Sequence, residues 1–231
     1  MDQPHRLHAE YKRRDHDAQL QAQYSLFNPA QLFLLQTRER AFLRRLKKHR
    51  LTDLTTQNIL DFGCGSGGEL LNLKRYGAQT ETIFGVDLLS SRIRVARQRH
   101  HQATLAQADG RSLPFRSEAF DLVLQFTVFT SILDMAIKNC LAAEILRVLK
   151  PGGYLIWYDF WADNPRNPQV KGIRPAEIKQ LFPNCQFDFQ RVTLAPPLAR
   201  RVVPVSWIAA ELLNLIPALL THYLVVIQKT S

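Results

Sequence analysis

Cysteine is scarce in this sequence. Its 231 residues include only Cys64, Cys140 and Cys185, and none of them belongs to a Cys-x-x-Cys pair. This pattern argues against a disulfide framework and against a zinc site, and it suits a reducing compartment. No cluster of His, Asp and Glu has the spacing of metal ligands, so we predict that no metal is bound.

A secretory signal, internal repeats and low-complexity segments are also missing. Residues 1–17 are polar and charged, with no apolar run after their basic residues. A signal peptide has such a run, so we expect a cytoplasmic protein.

Negative charge is in short supply, with 20 acidic residues against 30 Lys and Arg. Residues 1–58 carry 11 basic and 6 acidic side chains, residues 59–158 carry 11 and 9, and residues 159–231 carry 8 and 5. The basic excess therefore lies at the two ends of the chain. A basic surface favours anionic partners such as nucleic acid, phospholipid or phosphorylated substrates. The length suits one α/β domain with a modest addition.

Short apolar segments alternate with amphipathic segments from residue 58 to residue 158. We predict strands at 59–62, 82–86, 105–108, 120–124 and 154–158, and helices at 67–76, 90–99 and 136–149. This alternation predicts a parallel sheet that is covered on both faces. Residues 187–194 and 223–228 follow without an evident crossover helix and are candidates to close the sheet as an antiparallel pair. Another amphipathic helix is predicted over residues 29–49.

The strongest local signal is a glycine-rich turn between the first strand and the helix that follows it. Gly63, Gly65 and Gly68 permit a tight turn and a close approach of the backbone to a ligand. The start of the helix offers free N–H groups to a polar or anionic group. Asp87, at the end of the second strand, can accept hydrogen bonds from both hydroxyls of a ribose. Together these features predict a site for a ligand that contains a ribose.

Several ligands fit such a turn. The glycines also satisfy the dinucleotide fingerprint, so a nicotinamide cofactor is an alternative, as is a glycine turn with no ligand. A phosphate-binding P-loop is excluded because no Gly-Lys-Ser/Thr follows. Asp61 stands directly before the glycines, where it would repel a pyrophosphate but can meet an ammonium group. Asp109, after the third strand, can accept from an adenine amino group. These two acids favour S-adenosylmethionine over a nicotinamide.

Six motifs in series resemble the class I S-adenosylmethionine-dependent methyltransferases, and more narrowly the type 11 methyltransferase family. They lie at residues 59–68, 85–87, 108–110, 113–115, 120–123 and 144–153. The resemblance implies a doubly wound, Rossmann-like α/β fold with a seven-stranded sheet whose last strand is antiparallel. It also implies a helical lid at 1–57 and a methyltransferase domain at 58–231, with an apolar helical insertion at 196–220. The ends are more weakly similar to bacterial methyltransferases encoded among glycan-assembly genes.

The same resemblance implies S-adenosylmethionine as the cofactor and assigns residues to its parts. Those placed along the methionine and the reacting methyl are Asp61, Gly63, Cys64, Gly65, Gln125, Phe126 and Thr127. Those placed along the ribose and the adenine are Asp87, Leu88, Asp109, Gly110 and Arg111. Tyr24 would belong to a lid over the cofactor. Phe126 has core packing as its alternative role, and an aromatic staple on the following helix is the alternative for the segment of Tyr24.

Three residues are candidates for catalysis. Asp159 directly follows the fifth strand and is the preferred base for an oxygen acceptor, with Tyr158 and His222 as further candidates. Each also has a structural alternative, since Asp159 can cap a loop and a lone histidine is often part of the packing. Arg166, in the next loop, is a candidate to grip a phosphate or carboxylate.

The apolar stretch at residues 202–220 bears on partners. Glu211 is its only acidic or basic side chain, and its helical part is shorter than the ~20 residues that cross a bilayer. It predicts either a helix packed on the substrate side or a patch that faces a membrane. In the second case, residues 38–50 and 200–201 would meet acidic headgroups, giving a peripheral protein at the inner membrane face. Nucleic acid is less favoured, because few aromatic residues interleave with the basic ones.

These observations predict methyl transfer from S-adenosylmethionine to a small-molecule acceptor. The weaker likeness of the ends points to an oxygen of a sugar or glycan precursor, free or linked to a lipid. The alternatives are a nicotinamide-dependent oxidoreductase and a methyltransferase-like protein that binds without turnover.

Overall fold

Five apolar segments form adjacent parallel strands, as their spacing predicts. They are β1 (Ile59–Phe62), β2 (Ile83–Asp87), β3 (Thr104–Gln107), β4 (Phe120–Phe126) and β5 (Leu149–Phe160). The computed structural model describes residues 17–163, 167 and 169–230. Every residue of β1 is buried, which is expected for a central strand of a parallel sheet covered on both faces.

Two later strands complete the sheet, β6 (Cys185–Leu194) and β7 (Leu220–Lys229). The strand order is β3-β2-β1-β4-β5-β7-β6. Ala195 N–H donates to the Leu219 carbonyl at 2.9 Å, and the Thr221 hydroxyl donates to the Thr193 carbonyl at 3.5 Å. The partner numbers run in opposite directions, so β7 is antiparallel to β6. The predicted fold class is confirmed.

Six of the helices alternate with the strands or precede them. They are α1 (Ala18–Tyr24), α2 (Pro29–Lys48), α3 (Gly68–Arg75), α4 (Ser90–Arg99), α5 (Met135–Val148) and α6 (Pro175–Leu181). Two more lie between β6 and β7, α7 (Pro196–Val202) and α8 (Trp207–Leu213). Helix α6 was not expected from the sequence, and it supplies a helix between β5 and β6.

The chain forms two compact units. The first contains the described residues of 1–49 and 190–224, and the second contains those of 50–189 and 225–231. The apolar insertion therefore groups with the N-terminal helices. The predicted division into domains at residue 57 stays a prediction. A lid role for the N-terminal residues stays a prediction, and residues 1–16 lie outside the described part.

In the first unit, α2 begins where the sequence predicts. The Asn28 side chain accepts from Ala30 N–H at 3.0 Å, and Pro29 occupies the first turn, where a missing N–H costs nothing. The predicted insertion consists of α7, α8 and a 3-10 turn at Pro217–Leu219. No helix within the described ranges is long and apolar enough to cross a membrane.

Candidate functional site

The carboxyl ends of four parallel strands meet at one edge of the sheet in the second unit. Phe62 of β1 pairs with Val86 of β2 on one side and with Gln125 of β4 on the other, and Gln125 pairs with Trp157 of β5. The residues that follow these positions therefore share one edge, where ligands bind in open α/β sheets.

The glycine turn after β1 is built by left-handed backbone. The φ angles of Gly63, Gly65 and Gly67 are 80°, 54° and 85°, which glycine adopts at little cost. A Cβ on Gly63 would lie 2.4 Å from the Val128 side chain. Both the Gly63 and Cys64 N–H groups donate to the Val86 carbonyl, at 2.8 and 2.9 Å. These bonds tie the turn to the end of β2.

Asp87 is held beside this turn by two backbone donors. One carboxylate oxygen accepts from Gly65 N–H at 3.0 Å, and the other accepts from Leu89 N–H at 2.9 Å. Asp87 is only partly buried, and a carboxylate oxygen can accept more than one hydrogen bond. The fixed carboxylate therefore has remaining capacity for the two hydroxyls of a ribose. Leu88, next along the chain, is also partly buried.

Asp61 and Cys64 are buried under the turn, with exposed fractions of 2% and 6%. Burial raises the pKa of the Cys64 thiol, and the carboxylates of Asp61 and Asp87 raise it further. The thiol is therefore neutral and contributes packing and not a nucleophile at neutral pH.

Asp109 follows β3 and is paired with its near neighbour. Its carboxylate accepts from the Arg111 backbone N–H at 3.0 Å and from the Arg111 guanidinium at 2.5 and 2.9 Å. These hydrogen bonds lower the pKa of Asp109, so it is ionised. A Cβ on the intervening Gly110 would lie 2.5 Å from the Phe62 ring, which explains the glycine. An adenine amino group at Asp109 would share the carboxylate with Arg111.

Two residues of the last motif hold the segment that follows Asp109. Glu144 accepts from Leu113 N–H at 2.7 Å, and Arg147 donates to the carbonyls of Leu113 and Phe115 at 3.2 and 2.8 Å. The Arg147 guanidinium lowers the pKa of Glu144. These residues of α5 thus hold the segment after Asp109 in place, a role that the sequence did not reveal.

The end of β4 combines a buried amide with strained backbone. Gln125 is fully buried, and its side-chain oxygen accepts from Val128 N–H at 2.9 Å. Thr127 is exposed and has φ 59°, which is unusual for a β-branched residue. Its N–H donates to the Tyr158 carbonyl at 2.8 Å. Strain of this kind clusters at functional sites, and Phe126 lies beside it with its ring 5.4 Å from that of Tyr158.

Asp159 lies at the end of β5 but is only 1% exposed. One oxygen accepts from the Thr130 hydroxyl at 2.5 Å and from Phe160 N–H at 3.0 Å, and the other accepts from Thr130 N–H at 3.2 Å. Burial raises the pKa of Asp159 to about 6, although the hydrogen bonds from Thr130 act to lower it. These contacts favour the loop-capping role over proton abstraction.

The other two catalytic candidates are buried as well. Tyr158 is 5% exposed and His222 is 4% exposed. Burial lowers the pKa of His222 to about 3, with a contribution from the positive charge of Arg38, so the imidazole is neutral at physiological pH. His222 and Tyr24 belong to the first unit, where Tyr24 is 59% exposed. Their roles stay predictions, and Arg166 lies outside the described residues.

Three residues that the sequence did not single out touch the glycine turn. Val128 faces Gly63, and the His100 ring would lie 2.6 Å from a Cβ on Gly67. Arg92 of α4 approaches Gly65, and its guanidinium would lie 3.5 Å from a Cβ on that glycine. No motif in the sequence around these residues indicates the contact, because each one reaches the turn only when α4 or the loop after β4 packs against it.

The fold and this strand-end site are similar to those of class I methyltransferase domains. Residues 60–157 match the family model described as a methyltransferase domain, and the resemblance predicted from the sequence is confirmed over this range. Enzymes of this class take the methyl group from S-adenosylmethionine, which is therefore the cofactor that the domain implies.

Particular relatives share about half of the chain. It is 32% identical over 131 residues to the phthiotriol/phenolphthiotriol dimycocerosates methyltransferase 1 of Mycobacterium ulcerans, covering 56% of this chain and 47% of the relative. It is 38% identical over 109 residues to the fatty-acid O-methyltransferase of Mycolicibacterium smegmatis, covering 46% and 38%. The chain thus spans less than half the length of these curated relatives.

Solved structures extend the likeness of the fold. A SAM-dependent methyltransferase from Methanosarcina mazei superposes with a TM-score of 0.58 at 20% identity, covering 79% of this chain and 97% of that chain. The fold is therefore shared beyond residues 60–157.

The residues at the strand ends fit S-adenosylmethionine. The carboxylate of Asp87 stands beside the glycine turn, where Gly65 N–H and Leu89 N–H hold it in place for hydroxyl donors. Asp61 supplies negative charge near the turn, where the ligand carries an ammonium group. Gly63, Cys64 and Gly65 would hold the methionine part and Asp87 the ribose.

Proposed function

We propose that this protein transfers the methyl group of S-adenosylmethionine to an oxygen of a small-molecule acceptor. The observation that carries the proposal is the Asp87 carboxylate, fixed by Gly65 N–H and Leu89 N–H beside a turn of left-handed glycines. When bound, the cofactor supplies a methyl group on a sulfonium, which needs little covalent help from the protein.

The protein's own contribution is alignment. Asp87 and the glycine turn fix the cofactor at one edge of the sheet, and the hydrogen bond from Thr127 N–H to the Tyr158 carbonyl anchors the loop after β4. Asp159 holds this loop through both its bonds to Thr130. Holding two reactants in line removes much of the entropic part of the barrier. In this proposal Asp159 is a positioning residue, and the acceptor is deprotonated by another group or binds as an anion.

We propose a lipid-linked sugar or glycan precursor as the acceptor. The weaker likeness of the chain ends supports a glycan, and one similar relative is named for O-methylation of a fatty acid. An experiment with radiolabelled S-adenosylmethionine and fractionated extracts of the native cell tests this. We expect the radiolabelled methyl group in the lipid fraction. Acid hydrolysis of the labelled product should release a sugar that carries the label. Label confined to protein or RNA would contradict the acceptor class.

Asp87→Asn tests the cofactor assignment. The amide keeps the size of the side chain but loses the charge, so charged hydrogen bonds to the ribose are lost. We expect S-adenosylhomocysteine to bind more weakly by about 2 kcal/mol, roughly 30-fold in Kd. Isothermal titration measures this.

Glu81→Gln is the matched control, because this exposed carboxylate lies just before the start of the same strand. It should leave the affinity unchanged. Equal affinities of the wild type and Asp87→Asn would refute the ribose assignment.

A further inference from the structure

An exposed apolar patch lies on α8 and on the residues just before and after it in the first unit. Its side chains are exposed by 45% to 86%, and they are Val205, Ile208, Leu212, Leu215 and Ile216. Val205, Ile208, Leu212 and Leu215 are spaced three to four residues apart, which places them on one side of the segment, and Ile216 follows four residues after Leu212. The opposite side is packed, since Ala210 is fully buried and the Trp207 ring contacts Phe33 edge-to-face at 5.2 Å.

The patch has no role in the core of the unit. Trp207 and Ala210 already anchor α8 on α2, so folding does not require large apolar side chains on the outer side. Soluble proteins rarely expose contiguous apolar side chains, and such patches mark contacts with membranes or other proteins. Pro204, Pro217 and Ala218, which are also exposed, extend the patch at both ends without adding charge.

Acidic charge is neutralised beside the patch. Glu211 is the only acidic residue between 196 and 220. Its carboxylate accepts from the Arg40 guanidinium at 2.5 Å. This ion pair also shows which side of α2 lies next to α8.

Basic side chains continue along that side of α2. Arg40, Arg44 and Lys47 are spaced four and three residues apart and are all exposed, so they form one stripe on the helix. Arg201, at the end of α7, is exposed as well. The patch is therefore flanked by positive charge.

We propose that the patch docks the protein on the surface of an anionic lipid bilayer. The apolar side chains would enter the boundary between headgroups and acyl chains, while the basic stripe meets the headgroups. A helix of seven residues lies in the interface and does not span it. The positive flank selects an anionic bilayer over a second copy of this basic chain, which would bring like charges together.

This proposal does not depend on methyl transfer, although it would bring the enzyme to a lipid-linked acceptor. Vesicle flotation of the full chain tests it, with phosphatidylcholine vesicles compared with vesicles that also contain phosphatidylglycerol. We expect flotation with the phosphatidylglycerol vesicles only, and release as salt is raised.

Leu212→Asp supplies the decisive variant, and Leu71→Asp is its matched control. Both leucines lie on helices and are exposed by 61% and 54%, but Leu71 belongs to the second unit. We expect Leu212→Asp to weaken vesicle partitioning about tenfold or more, since it removes an apolar side chain that would enter the bilayer and adds a charge that the anionic headgroups repel. Leu71→Asp should leave partitioning unchanged. S-adenosylhomocysteine affinity and thermal unfolding should stay the same in both variants.

Other results would overturn the proposal. Flotation that is absent for the wild type, or that Leu71→Asp weakens as much as Leu212→Asp, would do so. A concentration-dependent dimer that Leu212→Asp dissociates, without any vesicle binding, would assign the patch to contact between copies of the chain. A cofactor titration that fails while flotation behaves as expected would overturn only the proposed enzymatic activity.

Discussion

Replacing Asp159 with asparagine should remove a pH dependence from the stability of the protein. Folding raises the pKa of this carboxyl from 3.8 to about 6 because burial disfavours its charge. The folded state therefore binds the proton more tightly than the unfolded state does. Stability that is present at low pH is then lost as pH rises from about 3.8 through about 6.

The magnitude follows from the two pKa values. The interval between 3.8 and about 6 corresponds to about 3 kcal/mol at 1.36 kcal/mol for each tenfold change. About 2 kcal/mol of this falls between pH 4 and pH 7.5, because part of the loss has already occurred at pH 4. Asparagine does not titrate, so it avoids this loss. It also places an NH₂ group against backbone donors of Thr130 or Phe160, which costs about 1–3 kcal/mol at every pH.

Urea unfolding of the wild type and Asp159→Asn at pH 4 and pH 7.5 isolates the effect. Other titrating groups cancel in the difference between the two proteins at each pH. We expect the unfolding free energy of the variant, relative to the wild type, to be higher by about 2 kcal/mol at pH 7.5 than at pH 4. If the difference in unfolding free energy between the two proteins is the same at both pH values, the raised pKa of the buried Asp159 carboxyl is refuted. The variant should also lose turnover while keeping its affinity for S-adenosylhomocysteine, and full activity would remove Asp159 from the mechanism.

Two further substitutions test packing in the second unit, one at the glycine turn and one between α5 and α6. Gly63→Ala should lower the unfolding free energy by about 2 kcal/mol or more, through left-handed backbone and the Val128 contact, and should weaken S-adenosylhomocysteine binding. Gly152→Ala is the control, because Gly152 also has a positive φ but a Cβ there would meet no atom within 4 Å. It should lower the unfolding free energy only through backbone strain and should leave S-adenosylhomocysteine binding unchanged. Equal losses of unfolding free energy in the two variants would contradict the contact between Gly63 and Val128. Glu177→Gln should cost about 3 kcal/mol in urea unfolding, because it leaves Lys138, which is 2% exposed, without the carboxylate that it contacts at 2.6 Å. An unchanged unfolding midpoint would show that this ion pair contributes nothing.

The parallel strands and their order of appearance could be predicted from the sequence, because buried strands of a parallel sheet leave continuous apolar runs. Helix α6 could not. Its buried residues Ile178 and Leu181 form too short a pattern, and only packing in the folded unit stabilises a helix of seven residues. The grouping of residues 190–224 with the N-terminal helices also has no signal in the sequence. It depends on contacts such as Phe33 with Trp207, which join distant parts of the chain.

In the candidate site, residue positions were predictable but their partners were not. Gly63 and Asp87 follow strand ends, and the sheet register brings strand ends together. Asp109 pairs with Arg111, and the Asp159 carboxylate accepts hydrogen bonds from Thr130. Both depend on side-chain geometry, which the spacing of residues in the sequence does not indicate. The left-handed backbone of Thr127 runs against the preference of its own residue type, so no local propensity could have indicated it.

A titration of the wild-type protein with S-adenosylhomocysteine, and separately with NADH, tests the central claim most directly. We predict saturable one-to-one binding of S-adenosylhomocysteine and no detectable heat with NADH. Tight binding of NADH, with none of S-adenosylhomocysteine, would contradict the methyltransferase account and support the oxidoreductase alternative.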